Sequence, residues 1–252
     1  MNLLQAVILG AIEGLTEFLP VSSTGHLILA GHWMGLQGEA VKTFDVVIQA
    51  GALAAVLGLY GSRLRSLPLW RNLAVGFLPA AAAGLLLHQV IKEHLFGPRP
   101  VALALAAGGL FMIGLDRWLR RRPAPSRQLE SLSPGEALVI GLAQCLALWP
   151  GTSRAMVTIS AALLLGLSAP AAAEFSFLLA LPTLGAATLF DAAKNGELLL
   201  HDAPPAVLAA GFAVAAITAV LAVKGFVAYL NRRGMVPFGL YRLLLALAVF
   251  FT

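Results

Sequence analysis

The residues able to do chemistry gather in two short stretches. In the first, Glu13 and Glu17 lie four apart and are followed by Pro20, then Ser22, Ser23, Thr24, Gly25 and His26. In the second, Pro150, Gly151, Thr152 and Ser153 lead to Arg154. A helix places residues four apart on one face, so the two carboxylates point the same way. Hard divalent cations such as Mg2+ and Ca2+ prefer carboxylate oxygens. Paired carboxylates in an oily setting need such a cation, a shared proton or a facing positive charge. Hydroxyls and free backbone N–H groups at a helix start favour an anion, helped by the helix dipole. Ser and Thr are also ordinary N-caps, but three hydroxyls beside Gly25 and His26 exceed what one cap needs. His26 offers a general acid, a general base or a nucleophile near neutral pH. Arg154 is the only basic residue between 134 and 167, and its planar fork of donors matches phosphate and stays charged when buried. An ion pair of Arg154 with Glu13 or Glu17 is the plainer alternative, but it leaves the hydroxyl-rich turns unexplained. Together these groups describe a site for phosphate chemistry.

Both stretches are flanked by oily sequence. Hydrophobic residues make up 59% of the chain and charged residues 12%, about half the charged share of a soluble domain. Apolar runs at 44–61, 73–92, 101–118, 171–190, 206–224 and 236–251 each approach the roughly 17–25 residues that cross a bilayer. The alternating segments of a transmembrane barrel are not evident. Regions 3–34 and 134–167 are apolar as well, but broken at Pro20–Gly25 and Pro150–Arg154. Each half is short for a crossing, so each region reads as a re-entrant helix pair, its irregular tip buried in protein or facing a wet cavity. The expected fold is an all-α polytopic membrane protein, six transmembrane helices plus two re-entrant helix pairs, forming a single integral membrane domain over 1–252.

An offset of 131 lays Ala6–Gly10 on Ala137–Gly141, Glu13 on Gln144, Phe18 on Trp149, Ser22 on Ser153 and Phe44 on Phe175. The halves, 1–122 and 132–252, then each hold one broken pair and three spans. Three is odd, so the expectation is an inverted-topology repeat, with its site near the bilayer midplane between the broken helices. With this count, Arg63, Arg65, Arg71, Arg117, Arg120, Arg121, Arg122, Arg127, Lys224, Arg232 and Arg233 fall on one side. The other side receives Lys42, Lys92, Arg99 and Lys194, with Arg242 counted there. Excess Lys and Arg mark the cytoplasmic face, so both termini are expected outside. The net charge of +5 therefore speaks to topology and not to nucleic acid. No basic n-region precedes the first apolar run, so it does not read as a cleavable signal. Cys145, the single cysteine, rules out an intramolecular disulfide and reads as a small hydrophobe. Asp45, Gln49 and Glu174 lie near span starts, while His32, His88, His94 and His201 lie outside the motifs and are given no role.

The stretch EGLTEFLPVSSTGH (Glu13–His26), with PGTSRAMVT (Pro150–Thr158) and KTFDVVIQ (Lys42–Gln49), closely resembles the undecaprenyl-diphosphate phosphatase family, also called bacitracin-resistance proteins. The resemblance covers essentially the whole chain. The family pattern Glu/Gln-x-x-x-Glu falls on Glu13 and Glu17. The pattern Pro-Gly-x-Ser-Arg-Ser-x-x-Thr falls on Pro150, Gly151, Ser153, Arg154 and Thr158, with Ala155 departing where a second serine is usual. The resemblance implies a multi-pass inner (plasma) membrane hydrolase that removes the terminal phosphate of undecaprenyl diphosphate. Its product, undecaprenyl phosphate, is the recycled lipid carrier of peptidoglycan synthesis. It also implies a divalent cation, Mg2+ or Ca2+, and action on the outer (periplasmic) side.

On these residues Glu13 and Glu17 are expected to bind the metal, or one of them to act as base. Gly151, Thr152, Ser153 and Arg154, with Ser22 and Thr24, are expected to hold the diphosphate. The nucleophile stays open between Ser23 assisted by His26, His26 itself and a metal-bound water. The rival reading is a lipid-phosphate transporter using the same midplane pocket. The partners expected are the polyprenyl diphosphate lipid and the bilayer, not nucleic acid, with a homodimer left open.

Overall fold

The computed structural model describes residues 1–36, 39–95, 97–202 and 204–251, with the helix backbone alone at 39, 40, 42, 43, 88–90, 92–94 and 194–202. The side chains of Lys42, Lys92, Lys194, His88, His94 and His201 thus lie outside the described residues. Ten α-helices run through the described residues: α1 (Leu3–Thr16), α2 (Ser23–Trp33), α3 (Glu39–Tyr60), α4 (Leu67–His94), α5 (Pro98–Leu119), α6 (Pro134–Gln144), α7 (Arg154–Leu164), α8 (Ala169–Asp202), α9 (Pro205–Arg233) and α10 (Val236–Phe250).

Local chemistry sets the starts and stops. Asn2 and Gln5 exchange side-chain-to-backbone bonds across the first turn of α1, each 2.9 Å long, and Ser133 and Glu136 do the same for α6. Such reciprocal caps satisfy N–H groups that the helix leaves open. Proline occupies the first turn of α4, α5, α6, α9 and α10, where its missing N–H costs nothing. Ser66 and Pro68 thereby start α4 at Leu67, ahead of the apolar run expected from 73. At the far end of α9, the charged Arg232 and Arg233 extend the helix past its apolar run, and Gly234, with φ of 72°, ends it.

Among the described residues, four helices are long and apolar enough to cross a membrane: α4 over Leu67–Leu87, α5, α8 over Ala169–Ala193, and α9. They fall on four of the six expected runs, and the chain is a multi-pass, all-helical membrane protein. The other two runs correspond to shorter apolar stretches, Phe44–Tyr60 in α3 and Val236–Phe250 in α10. The two broken regions form helical hairpins, α1–α2 and α6–α7. The start of α6 and the end of α7 meet at Arg127, whose guanidinium binds Glu136 (2.6 Å) and the Leu165 carbonyl (2.9 Å). Met1, at the start of α1, shares an apolar cluster with Met34 and Leu36, beyond the end of α2.

Helices α1 and α9 pack along one another, as do α6 and α4. Both contacts are built on glycine. A Cβ on Gly10 would stand 2.5 Å from the Gly211 carbonyl oxygen, and one on Gly141 would strike the Gly76 carbonyl. Small residues let apolar helices approach this closely, which is how such helices gain dispersion contact in lipid. Between α3 and α8, and around both hairpin tips, the main core gathers Phe18, Phe175, Phe177, Ile140, Ile159 and Phe226.

One topological expectation is corrected. Arg242 does not lie on the sparsely charged side: it is fully buried in α10. Its position in the middle of an apolar helix, packed along α5, removes it from both surfaces.

Candidate active site

Each hairpin tip turns on a serine in an unusual backbone state. Ser22 (φ 71°, ψ 96°) and Ser153 (φ 72°, ψ 112°) are the positive-φ residues other than glycine among those described. Side chains rarely accept such φ values, and a bulky residue there is strained. Each serine is the N-cap of the helix that follows: Ser22 Oγ accepts from the Gly25 N–H (3.4 Å) and Ser153 Oγ from the Met156 N–H (3.3 Å). Helices α2 and α7 therefore begin at the tips with their first N–H groups open. Gly151, with φ of 95°, completes the second turn, and a Cβ there would lie 2.6 Å from the Val101 carbonyl oxygen.

The two tips meet through opposite charges. Arg154 Nη2 donates to Glu17 Oε1 at 2.8 Å, joining residues 137 apart in the chain, and both side chains are only 7% exposed. Ser23 Oγ donates to the other oxygen, Glu17 Oε2, at 2.6 Å. Arg154 Nη1 donates to the Ser176 carbonyl at 2.8 Å, and the Thr158 and Ser176 hydroxyls bond each other at 2.7 Å. The Arg154 guanidinium also lies 5.6 Å from the centre of the Phe18 ring, close enough for a cation–π attraction. Its Nε is buried with no hydrogen-bond partner among the described residues.

Glu13 is 1% exposed, beside Glu17, Asp45 and Arg154. Its Oε1, like Asp45 Oδ1, is buried without a partner among the described residues. A buried carboxylate oxygen left bare costs free energy, and a cation or a ligand donor would relieve it. Among the described residues no group of three or more His, Cys, Asp or Glu stands ready to hold a metal alone.

His26 is placed differently from the expected partnership with Ser23. Its Nδ1 lies 2.8 Å from the Ser22 carbonyl and its Nε2 lies 2.7 Å from the Tyr241 hydroxyl, and the two rings stack. A carbonyl only accepts, so Nδ1 carries the proton, and in the neutral ring Nε2 accepts from Tyr241. Ser23 gives its own proton to Glu17 instead. Thr24 and Thr152 make no side-chain hydrogen bond among the described residues, and the Thr152 N–H closes the turn onto the Trp149 carbonyl at 3.1 Å.

Three further residues belong to this site. Tyr241 and Ser176 contact His26 and Arg154, and neither stands out in an oily sequence. Arg242 did carry a signal, as the sole charged residue in 236–251; an ionisable group within an apolar span is a functional candidate by default. Its Nη2 donates to the Gly151 carbonyl (2.9 Å) and the Ala104 carbonyl (3.0 Å), its Nη1 to the Pro20 carbonyl (3.3 Å) and its Nε to the Leu105 carbonyl (3.3 Å).

The site thus sets one cation and two helix starts opposite a carboxylate that holds a serine proton. Such an arrangement can bind a phosphorylated anion and relay a proton beside it. A family model described as "Bacitracin resistance protein BacA" matches residues 6–248. A protein of Sorangium cellulosum named undecaprenyl-diphosphatase is 54% identical over 97% of this chain and 84% of its own length. One of the same name from Wolinella succinogenes is 48% identical over 100% of this chain and 98% of its own. Undecaprenyl-diphosphatase 1 of Bacillus anthracis is 46% identical over 98% and 96%.

Proposed function

The chain belongs to the bacitracin resistance protein BacA family, and from that premise we propose that it hydrolyses the terminal phosphate of undecaprenyl diphosphate. The products are inorganic phosphate and undecaprenyl phosphate, returned as the lipid carrier for peptidoglycan synthesis. The observation that carries this reading is the contact between the two hairpin tips, Arg154 against Glu17 at 2.8 Å with Ser23 on the far carboxylate oxygen at 2.6 Å. A transporter reading gains nothing from the relatives, which are named for diphosphatase activity.

In this mechanism the arriving terminal phosphate takes guanidinium donors of Arg154, including the free Nε, and the open N–H groups at the starts of α2 and α7. Displaced from Arg154, Glu17 accepts the Ser23 proton as the Ser23 oxygen attacks the terminal phosphorus. The bond from that phosphorus to the bridging oxygen breaks, and undecaprenyl phosphate leaves. Water then attacks the phosphorus, the bond to the Ser23 oxygen breaks as Glu17 returns its proton to that oxygen, and the water's oxygen and hydrogens leave with the inorganic phosphate. Arg154 balances the charge on the equatorial oxygens throughout. Glu13, with the Glu17 oxygen that Arg154 releases, would hold a divalent cation, Mg2+ or Ca2+, while the other Glu17 oxygen serves Ser23. The bare Glu13 Oε1 fits a metal of the kind usually bound by one or two carboxylates with substrate phosphates. Bound there, such an ion would neutralise charge on the diphosphate.

In the proposed membrane arrangement α3, α4, α5, α8, α9 and α10 cross the bilayer, and the hairpins α1–α2 and α6–α7 enter from opposite sides as an inverted repeat. Support comes from the shared offset, since α2 and α7 are both 11 residues long and begin 131 residues apart, each on a positive-φ serine. The site opens to the outer side of the inner membrane, with both termini outside. The deciding experiment is phosphate release from a C15 diphosphate by purified protein in detergent, with and without chelator. Release that is abolished by chelator and by Glu17→Ala is expected, without any ion gradient. Absence of release from wild-type protein would overturn the assignment.

A further inference from the structure

We propose that Arg242 is a positioning residue that holds the two hairpin tips in register, so that Glu17 and Arg154 stay aligned during the reaction. The inference rests on the phosphatase reading above. Arg242 is 0% exposed and has no acidic partner among the described residues; its four hydrogen bonds all go to main-chain carbonyls. Two of these acceptors are the hairpin tips themselves, Pro20 at 3.3 Å and Gly151 at 2.9 Å, and the others, Ala104 and Leu105, belong to α5. Pro20 lies two residues before the strained Ser22, and Gly151 two before the strained Ser153. One guanidinium therefore grips both turns just behind the caps that start α2 and α7.

A charge buried in a membrane protein without a counter-ion is expensive, and an apolar residue would fill the same space at no such cost. Its retention calls for a task that only a fork of donors performs. Among the described residues the only direct hydrogen bond between the two tips is Glu17 to Arg154. That bond must open when phosphate takes the Arg154 donors, at the step where alignment matters most. Arg242 is then the remaining polar tie between the tips, and it binds backbone that the substrate does not displace.

The test uses the full-length purified chain and phosphate release from a C15 diphosphate. Arg242→Lys keeps the charge but cannot span four carbonyls. It is expected to lower kcat by about 100-fold, the size of effect that small misplacement produces, with KM within about threefold in protein that still folds, though with a lowered melting temperature. Because it acts through Arg154, the double variant Arg242→Lys/Arg154→Lys should fall no further than Arg154→Lys alone. A second variant reaches the guanidinium from outside the site. A Cβ on Gly108 would strike Arg242 Nη2 and lie 2.9 Å from both its Cζ and the Met156 sulfur, whose flexible side chain can yield, while alanine improves helix propensity in α5. Gly108→Ala is expected to slow turnover about tenfold, and it decides the matter should Arg242→Lys not fold. Wild-type kcat in either folded variant, or losses that multiply in the double variant, would overturn the role of Arg242. Wild-type protein that releases no phosphate would instead overturn the phosphatase reading.

Discussion

Ser23 has one proton to give, and it gives it to Glu17 at 2.6 Å while His26 faces Tyr241. The sequence made Glu13, Glu17, His26 and Arg154 visible because each is costly in an oily stretch. It could not say which hydroxyl pairs with which base, since three hydroxyls in a row look alike until a turn orients them. Tyr241 was hidden for a different reason: tyrosine is ordinary in an apolar helix. Two outcomes follow at this scale. Arg154→Lys should lower kcat/KM by about 100-fold or more, because a point charge cannot serve Glu17, Ser176 and phosphate together; steady-state phosphate release measures it. Tyr241→Phe keeps the ring stack but removes one neutral hydrogen bond to His26, so a loss of about tenfold in kcat is expected. Full activity in that variant would leave His26 without a task for its tautomer.

Among the elements, the breaks were the most legible feature, because proline and glycine inside apolar runs admit few alternatives. Helix ends were less legible. Hydropathy marks where lipid begins, whereas the backbone continues until a cap such as Ser66 or a turn such as Gly234 stops it. The meeting of the two breaks was legible through the charges of Arg154 and Glu17, but glycine-mediated helix packing was not, since glycine is common throughout the chain and only geometry singles out Gly141. Gly141→Ala should cost about 1–3 kcal/mol through its collision with the Gly76 backbone. Gly114→Ala, with nothing within 4 Å of the added Cβ and a better helix former in α5, should leave the melting temperature at or slightly above wild type. A paired thermal unfolding series in detergent compares them directly, and equal behaviour would deny the close packing of α4 and α6.

Over the whole molecule the arginines that looked like a topology signal also build structure. Arg63 bridges Glu130 and Glu174, and Arg120 reaches the Arg233 carbonyl, so the residues expected on one charged face are cross-linked. On that face the Arg127 guanidinium, with the Ser133 backbone, holds the Glu136 carboxyl at about 2 against an ordinary 4.5. A lowered value means the pair's contribution is complete above the ordinary range and disappears as pH falls toward 2. The melting temperature of Glu136→Gln should therefore trail wild type at pH 7 and converge with it in acid; the gap is modest, as both side chains are partly solvated. A reporter fused at the C-terminus should be active outside the cytoplasm if both termini lie there. The buried fork of Arg242 has a further bearing, on biosynthesis. It sits on α10, which follows the other nine described helices, yet it clasps turns made more than two hundred and about ninety residues earlier. A nascent chain still lacking that helix would carry Glu13, Glu17, Ser23, His26 and Arg154 with only the Glu17–Arg154 bond tying the two turns together, so full enzyme activity should appear only when the ribosome has delivered position 242 to the membrane.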